Sequence, residues 1–293
     1  MNFCFKRGRF HIEKQVYQKF EKMLIDKLNY FADKNLQDRD YGSVRYGYQL
    51  TPKFESFQKL GKQSGFLFYV PAAYTSKIDP VTGFVNLFTA KQLSYQNQAQ
   101  TRKFIKSFDN ICFDKEYSCF RFDFDYRNFD LYKTDYTNTW QVYSCGDNRV
   151  VHTKKDGYDT SEAINVTERF VKLFENNNID ITKDNLVDDI AAVDSVAFYK
   201  EFLWLFRTIV QLRYEDAEND FILSPVHKDG KFFDSRTAAE NMPKDGDANG
   251  AYHIALQGLR IIKTRIKDGK ILKDEKGQQA LAWFEFVQTK GIL

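Results

Sequence analysis

The sequence predicts an α+β fold in which one domain is split around an inserted second domain. Apolar residues recur at helical spacing in several segments, whereas elsewhere aromatic and charged residues alternate as they do in half-exposed strands. Charge is also uneven along the 293 residues: the formal net charge is +6 for residues 1–70, −6 for residues 71–245 and +3 for residues 246–293. Because the two ends resemble each other and the middle differs, we expect the ends to form one basic domain around the middle segment.

The N-terminal segment predicts a strand, a long helix and a second strand. Residues 2–12 alternate bulky apolar and basic side chains, which favours a strand or hairpin. Residues 66–70 form a continuous apolar run that is typical of a strand buried on both faces. Between them, six apolar positions mark one face of a helix that starts near residue 13: Val16, Phe20, Met23, Leu24, Leu28 and Phe31.

The middle segment predicts turns, then antiparallel strands, then helices. Asp79-Pro80 and Thr82-Gly83 are turn pairs at a domain edge. Aromatic and charged residues alternate between residues 108 and 151, which indicates strands with one solvent-exposed face. Helical spacing returns at 161–176 and at 194–213, where Asp194 is the predicted N-cap. A charged loop follows at 214–220, and the chain ends with helices after residue 247 and near 274–290.

Composition and motifs exclude several classes of function. No apolar run reaches the ~18 residues of a membrane span, and no apolar signal segment opens the chain. The four cysteines form no CxxC pair. No Walker loop or dinucleotide fingerprint is present, and the four histidines lie outside any nucleophile motif. What remains is carboxylate chemistry with basic residues, as in metal-assisted phosphodiester cleavage, where two Mg²⁺ ions are held by acidic side chains.

Residues 245–253 read Asp-Gly-Asp-Ala-Asn-Gly-Ala-Tyr-His, two aspartates in a small-residue turn that leads into an amphipathic helix. Two interpretations of Asp247 follow from the local pattern. Its side chain caps the helix by accepting free backbone N–H groups, or it is a ligand for a hard cation such as Mg²⁺. Capping is the commoner role of an aspartate at a helix start, so the local sequence leaves both open.

Several long strings resemble the C-terminal part of the type V-A CRISPR RNA-guided DNA endonucleases, the Cas-twelve-a family. Residues 63–71 read Gln-Ser-Gly-Phe-Leu-Phe-Tyr-Val-Pro, and residues 247–255 read Asp-Ala-Asn-Gly-Ala-Tyr-His-Ile-Ala. Residues 2–10, 13–30 and 75–84 match in the same order. The resemblance covers nearly the whole chain and is weakest over about 85–160.

The resemblance implies an RNase H-like RuvC domain, residues 1–70 and 246–293, split around a Nuc domain at 71–245. This chain then holds the RuvC-II, Nuc and RuvC-III segments of a cytoplasmic prokaryotic protein. The activity implied is Mg²⁺-dependent hydrolysis of target and single-stranded DNA, with guide RNA bound by a lobe upstream.

The site residues carried over from the family are few. Asp247 matches the last metal-binding aspartate of the RuvC site. Arg213 matches an arginine that guides the target strand, and Asp220 matches an acidic Nuc position once proposed as catalytic. The basic ends favour contacts with nucleic-acid phosphates, for which the candidates are Lys6, Arg7, Arg9 and Arg213.

One departure limits the expected activity. In the family pattern the site glutamate would fall two residues before Met1, and the first aspartate further upstream. We therefore expect an incomplete RuvC domain that does not cleave by itself, because one carboxylate does not hold two metals. The alternatives are a non-catalytic single-stranded DNA-binding or scaffold fragment with Asp247 as a cap, and an unrelated α+β domain.

Overall fold

The computed structural model describes residues 19–20, 23, 75–95, 97–129, 139–145, 149–155, 158–215, 220–267 and 270–271. The chain divides into two compact units, Ala72–His253 with Ala280–Leu293, and Met1–Pro71 with Ile254–Gln279. Most described residues belong to the first, called the central unit below. Within the described segments no helix is both long and apolar enough to cross a bilayer. Strands and helices are mixed along the chain, consistent with the predicted α+β class.

An antiparallel three-stranded sheet forms where alternation predicted strands. Its strands, in the order β1-β2-β3, are β1 (Asn110–Asp114), β2 (Cys119–Asp125) and β3 (Thr139–Tyr143). Ile111 lies opposite Phe122, which in turn lies opposite Val142. The phenylalanines of β2 are fully buried, whereas the charged residues between them are half-exposed. The predicted strands with one solvent-exposed face are therefore confirmed here.

Further strands follow in antiparallel pairs. They are β4 (Arg149–Lys155) with β5 (Tyr158–Ile164), then β6 (Arg213–Glu215), β7 (Asp220–Lys228) and β8 (Lys231–Asp234) in that order, and the short pair β9 (Ile266–Lys267) and β10 (Lys270–Ile271). The helix predicted from residue 161 is wrong for its first residues, because β5 continues to Ile164, which pairs with Arg149. The predicted loop at 214–220 is also too long, since β6 pairs with the start of β7.

Apart from the helical residues 19, 20 and 23 and two short 3-10 helices, the described segments contain the α-helices α1 (Gln98–Ile105), α2 (Val166–Glu175), α3 (Val187–Ala192), α4 (Val196–Val210) and α5 (Gly246–Arg265). Asparagine side chains cap α1 and α2. At α4 the cap is Ser195, whose hydroxyl accepts from the Phe198 N–H at 3.2 Å. The prediction of Asp194 as the cap is wrong by one residue; its side chain, 84% exposed, pairs with Arg102 instead.

Phenylalanine rings form much of the core of the central unit. Phe88 lies at ring-centroid distances of 5.0–5.6 Å from Phe104, Phe124, Phe129 and Phe206. Most of these pairs are edge-on or tilted, the geometry that aromatic quadrupoles favour. Because the rings come from α1, β2, α4 and the segments between them, one aromatic cluster joins the sheet to the helices.

A buried aspartate joins an early turn to a late strand. Asp79 accepts hydrogen bonds from the Val81 N–H and the Thr82 hydroxyl within its own turn, and the Gly83 N–H bonds back to the Asp79 carbonyl. Its other partner is the Ser224 hydroxyl of β7, at 2.6 Å. Burial raises the pKa of Asp79, and these hydrogen bonds oppose that rise. The turn predicted at 79–83 is thus confirmed and is fixed to β7.

In the other unit, Lys19, Phe20 and Met23 are helical, as the predicted N-terminal helix requires. The Phe20 and Met23 side chains are 65% and 69% exposed, so the predicted apolar face is not buried at these positions. The predicted strands at 2–12 and 66–70 and the helix near 274–290 lie outside the described residues, as do Lys6, Arg7 and Arg9.

Candidate functional site

The start of α5 is capped by Asp245, not by Asp247. The Asp245 carboxylate accepts from the Ala248 N–H at 2.6 Å, and the Asp245 carbonyl accepts from the Asn249 N–H at 3.0 Å. This is the standard N-cap arrangement, in which the third helical N–H finds a side-chain partner. The interpretation of Asp247 as the cap is therefore wrong. Asp247 occupies the first turn, with its side chain 88% exposed.

Two buried polar residues fix this part of α5 to the turn at Thr75–Ile78. The Asn249 amide donates to the Ile78 carbonyl at 2.8 Å and to the Thr75 carbonyl at 3.4 Å. His253, one turn later, is fully buried close to the Ile78 backbone. Burial lowers the pKa of His253 to about 4. The first turns of α5, and Asp247 with them, are thereby held in place.

Three predicted site residues meet at this helix start. Arg213, the first residue of β6, binds Asp220, the first residue of β7, through two nitrogens at 2.9 and 2.5 Å. The same guanidinium reaches Asp247 at 3.1 Å. Hydrogen bonding to Asp220 is the main cause of a raised Arg213 pKa. The structure thus brings together Arg213, Asp220 and Asp247, which are distant in sequence, and the group carries a formal charge of −1.

Gly246 lets the arginine approach the helix. A Cβ at this position would lie 2.6 Å from Arg213 Cζ and closer still to Nε, which no real side chain permits. Gly250, one turn later, differs: a Cβ there would lie 3.6 Å from Ser76 Cβ, an ordinary contact. Sequence reasoning identified a small-residue stretch but missed the separate roles of Gly246 and Asn249. The signal available was a glycine between two aspartates, which is typical of a close backbone approach.

The described residues do not by themselves make a site for Mg²⁺. No group of three or more histidine, cysteine or acidic side chains comes together in the described segments. Cys112, Cys119 and Cys145 are free thiols. Asp247 offers one exposed carboxylate, and Asp220 is engaged on both oxygens by Arg213. A hard divalent cation needs about six oxygen ligands, so Asp247 can supply only one part of such a site.

Residues 1–292 match the RuvC nuclease domain when the chain is compared with known protein families. The match spans essentially the full sequence, so it includes Arg213, Asp220 and Asp247 as well as the basic ends. A nucleic-acid substrate and phosphodiester cleavage are the functions that this family implies. The mixed strands and helices of the described segments agree with this assignment. The chain belongs to the RuvC nuclease domain family.

Proposed function

We propose that this chain is the C-terminal nuclease portion of a type V-A CRISPR RNA-guided DNA endonuclease and that Asp247 is one of its metal-binding carboxylates. The observation that carries the proposal is the ion pair between Arg213 and an exposed Asp247 at a helix start. An exposed carboxylate beside a guanidinium offers adjacent places for a cation and for a phosphate group. Membership of the RuvC nuclease family and the family strings noted above support the same conclusion.

In this proposal the arginine binds the substrate strand. A guanidinium presents several N–H donors in a plane and matches the oxygens of a phosphate. Asp220 engages one edge of the group, which fixes its orientation, while a terminal nitrogen points to Asp247. We therefore assign Arg213 to strand guidance and assign Asp220 to orienting Arg213. The earlier alternative, a direct catalytic role for Asp220, is less well supported because both of its oxygens are already engaged.

The metal remains part of the proposal. Mg²⁺, when bound in such nucleases, activates water and stabilises the leaving oxygen. Since Asp247 supplies only one ligand, the other carboxylates must come from outside the described residues. Guide RNA and the DNA target strand are the proposed partners. Lys6, Arg7 and Arg9 are proposed to contact the phosphates of the DNA.

The domain arrangement is proposed on the same grounds. Residues 1–70 and 246–293 would form the RNase H-like RuvC domain, and residues 71–245 the Nuc domain. The central unit begins at Ala72, next to the proposed boundary at residue 71, whereas it also includes Ala280–Leu293, which the proposal assigns to RuvC. The second boundary of that unit falls at His253 rather than at residue 245, because Asn249 and His253 pack the first turns of α5 on the Thr75–Ile78 turn.

The test is cleavage of fluorescently labelled single-stranded DNA in Mg²⁺ by the RNA-guided endonuclease that contains this chain. Asp247→Ala should reduce cleavage to background, because a metal ligand is lost. Asp194→Ala is the matched control: Asp194 is 84% exposed and pairs with Arg102 at 2.9 Å, much as Asp247 pairs with Arg213. Unchanged cleavage by Asp247→Ala would reject the metal role and favour a nucleic-acid-binding fragment instead.

A further inference from the structure

One face of α4 carries cations and an aromatic ring rather than core residues. Lys200, Trp204 and Arg207 follow one another at spacings of four and three residues, which aligns them along one side of the helix. The opposite side is apolar and buried through Phe202, Phe206, Ile209 and their neighbours. The basic and aromatic side is therefore not needed for the core.

This face forms the wall of an open cleft of about 370 Å³ within the central unit. Arg169 of α2, Glu162 of β5 and Tyr95, in the segment before α1, line the remaining sides. The volume lies near the lower end of the ~300–1,000 Å³ typical of ligand sites. Tyr95 is 39% exposed, so its ring is open to a ligand.

Cations lie against both aromatic rings of the cleft. The Lys200 Nζ is 5.6 Å from the centre of the Tyr95 ring, and the Arg169 Cζ is 4.9 Å from that of Trp204. Arg169 also pairs with Glu201 at 2.6 Å, which neutralises that acid. Arg207 is exposed and has no acidic partner within the described residues. With Glu162 as the remaining acid, the cleft has a formal charge of +1.

We propose that this cleft binds a short stretch of single-stranded nucleic acid. Lys200 and Arg207 contact backbone phosphates, and a base stacks against Tyr95 or Trp204. Aromatic platforms combined with a positive groove are the usual means by which proteins hold single strands without reading sequence. Bases in a duplex are stacked and cannot enter such a cleft. The proposal rests on the nucleic-acid substrate assigned above, but it uses none of Arg213, Asp220 or Asp247.

Binding is tested by fluorescence anisotropy of the full chain with a fluorescein-labelled oligothymidylate, without cleavage. Trp204→Leu keeps an apolar side chain but removes the ring, and should raise the Kd about tenfold. Lys200→Glu and Arg207→Glu should each raise the Kd several-fold and reduce the slope of log K against log salt by about one. Thermal melting checks that the Trp204→Leu protein is folded. Lys200→Glu and Arg207→Glu change only exposed charges, so they should not disturb the fold.

Lys231→Glu is the matched control, since Lys231 is an exposed cation on β8 that does not line the cleft. Its Kd should equal that of the unchanged chain. The proposal is overturned if the three cleft variants bind as tightly as the unchanged chain, if Lys231→Glu weakens binding equally, or if unlabelled duplex competes as well as single strand. Competition by unlabelled oligothymidylate and by unlabelled oligouridylate shows whether the cleft prefers DNA or RNA. If either single strand competes more strongly than duplex, the result supports the proposed binding of single strands in the cleft.

The outcome is independent of the cleavage site. The anisotropy measurement contains no cleavage step, and the cleft variants leave Arg213, Asp220 and Asp247 unchanged. Normal binding by the cleft variants combined with loss of cleavage in Asp247→Ala would reject the cleft alone. Weaker binding by the cleft variants together with unchanged cleavage in Asp247→Ala would reject the metal role alone.

Discussion

Two arginines of the central unit each hold an exposed aspartate, yet their surroundings differ. Arg102 pairs with Asp194 and uses its remaining donors on neutral groups, the Tyr199 hydroxyl at 3.1 Å and the Val193 carbonyl at 3.2 Å. Arg213 pairs with Asp247 but gives its other donors to a second carboxylate, Asp220. The first group is neutral overall, whereas the second has a formal charge of −1. Only the second retains charge that attracts a further cation.

The comparison shows that a single exposed ion pair does not indicate function. The net charge of all the groups that the arginine contacts is more informative. Surface pairs contribute roughly 0–1 kcal/mol to stability whatever their purpose. Seen as isolated pairs, Arg102–Asp194 and Arg213–Asp247 are alike. The second carboxylate and the close approach to Gly246 distinguish them.

The largest expected difference between the two arginines is in cleavage. Arg213→Ala should slow DNA cleavage by the assembled enzyme about 100-fold, the typical cost when the substrate is no longer held in position for reaction. Arg102→Ala should leave the rate within twofold, because its partners are Asp194, Val193 and Tyr199. The measurement is the initial cleavage rate at saturating guide RNA. Equal losses in both variants would mean that Arg213 is only a structural residue.

A second difference concerns the surroundings of the two aspartates, and it depends on pH. The pKa of buried His253 is about 4, against about 6.5 in an unfolded chain, so the unfolded state binds more protons between these values. Stability should therefore fall as pH drops through this window, by about 2 kcal/mol between pH 7.5 and 5 from this group alone. The residues beside Asp194 include no such histidine.

The measurement for this prediction is urea unfolding of the full chain across that pH range. His253→Gln keeps a polar side chain of similar size but does not titrate. In this variant the free energy of unfolding should fall by about 2 kcal/mol less between pH 7.5 and 5 than in the unchanged chain, because only the contribution of His253 is removed. Parallel pH profiles for the two proteins would contradict the assignment of a buried neutral His253.

The smallest expected effect comes from one methyl group. Gly246→Ala places a Cβ where Arg213 now lies, so the guanidinium must move and cleavage should fall about tenfold. The loss is smaller than for Arg213→Ala because a flexible side chain retains part of its reach. Gly250→Ala is the control, since its Cβ meets only ordinary contacts. The measurement is the cleavage rate of each variant. Equal rates would show that the close approach of the Arg213 side chain to Gly246 does not affect cleavage.

Local patterns predicted much of the described fold. The alternation in residues 119–125 led directly to β2 and its partners, because one buried face imposes a period of two. Helix caps were harder to predict: Ser195 and Asp245 occupy the capping positions for which the sequence offered Asp194 and Asp247. Adjacent polar residues are equally good caps in sequence, and only backbone geometry distinguishes them.

The site itself was predicted only in part. Family resemblance identified Asp247, Arg213 and Asp220, but nothing in the local pattern indicated that one guanidinium joins two of the carboxylates. The anchoring role of Asn249 depends on carbonyls at Thr75 and Ile78, more than 170 residues away. Such contacts arise from tertiary packing, which periodicity does not record.

The hydrogen bond between Asp79 and Ser224 has a consequence for synthesis on the ribosome. Its partners are 145 residues apart, and the bond from Asn249 to Ile78 spans 171. At about 5–20 residues per second, the turn at residues 75–83 emerges roughly 10–30 s before Asn249 is made. Until Ser224 is made, Asp79 has only its own turn as partner. Completion of the central unit, and the placement of Asp247 with it, must therefore wait until translation has passed α5.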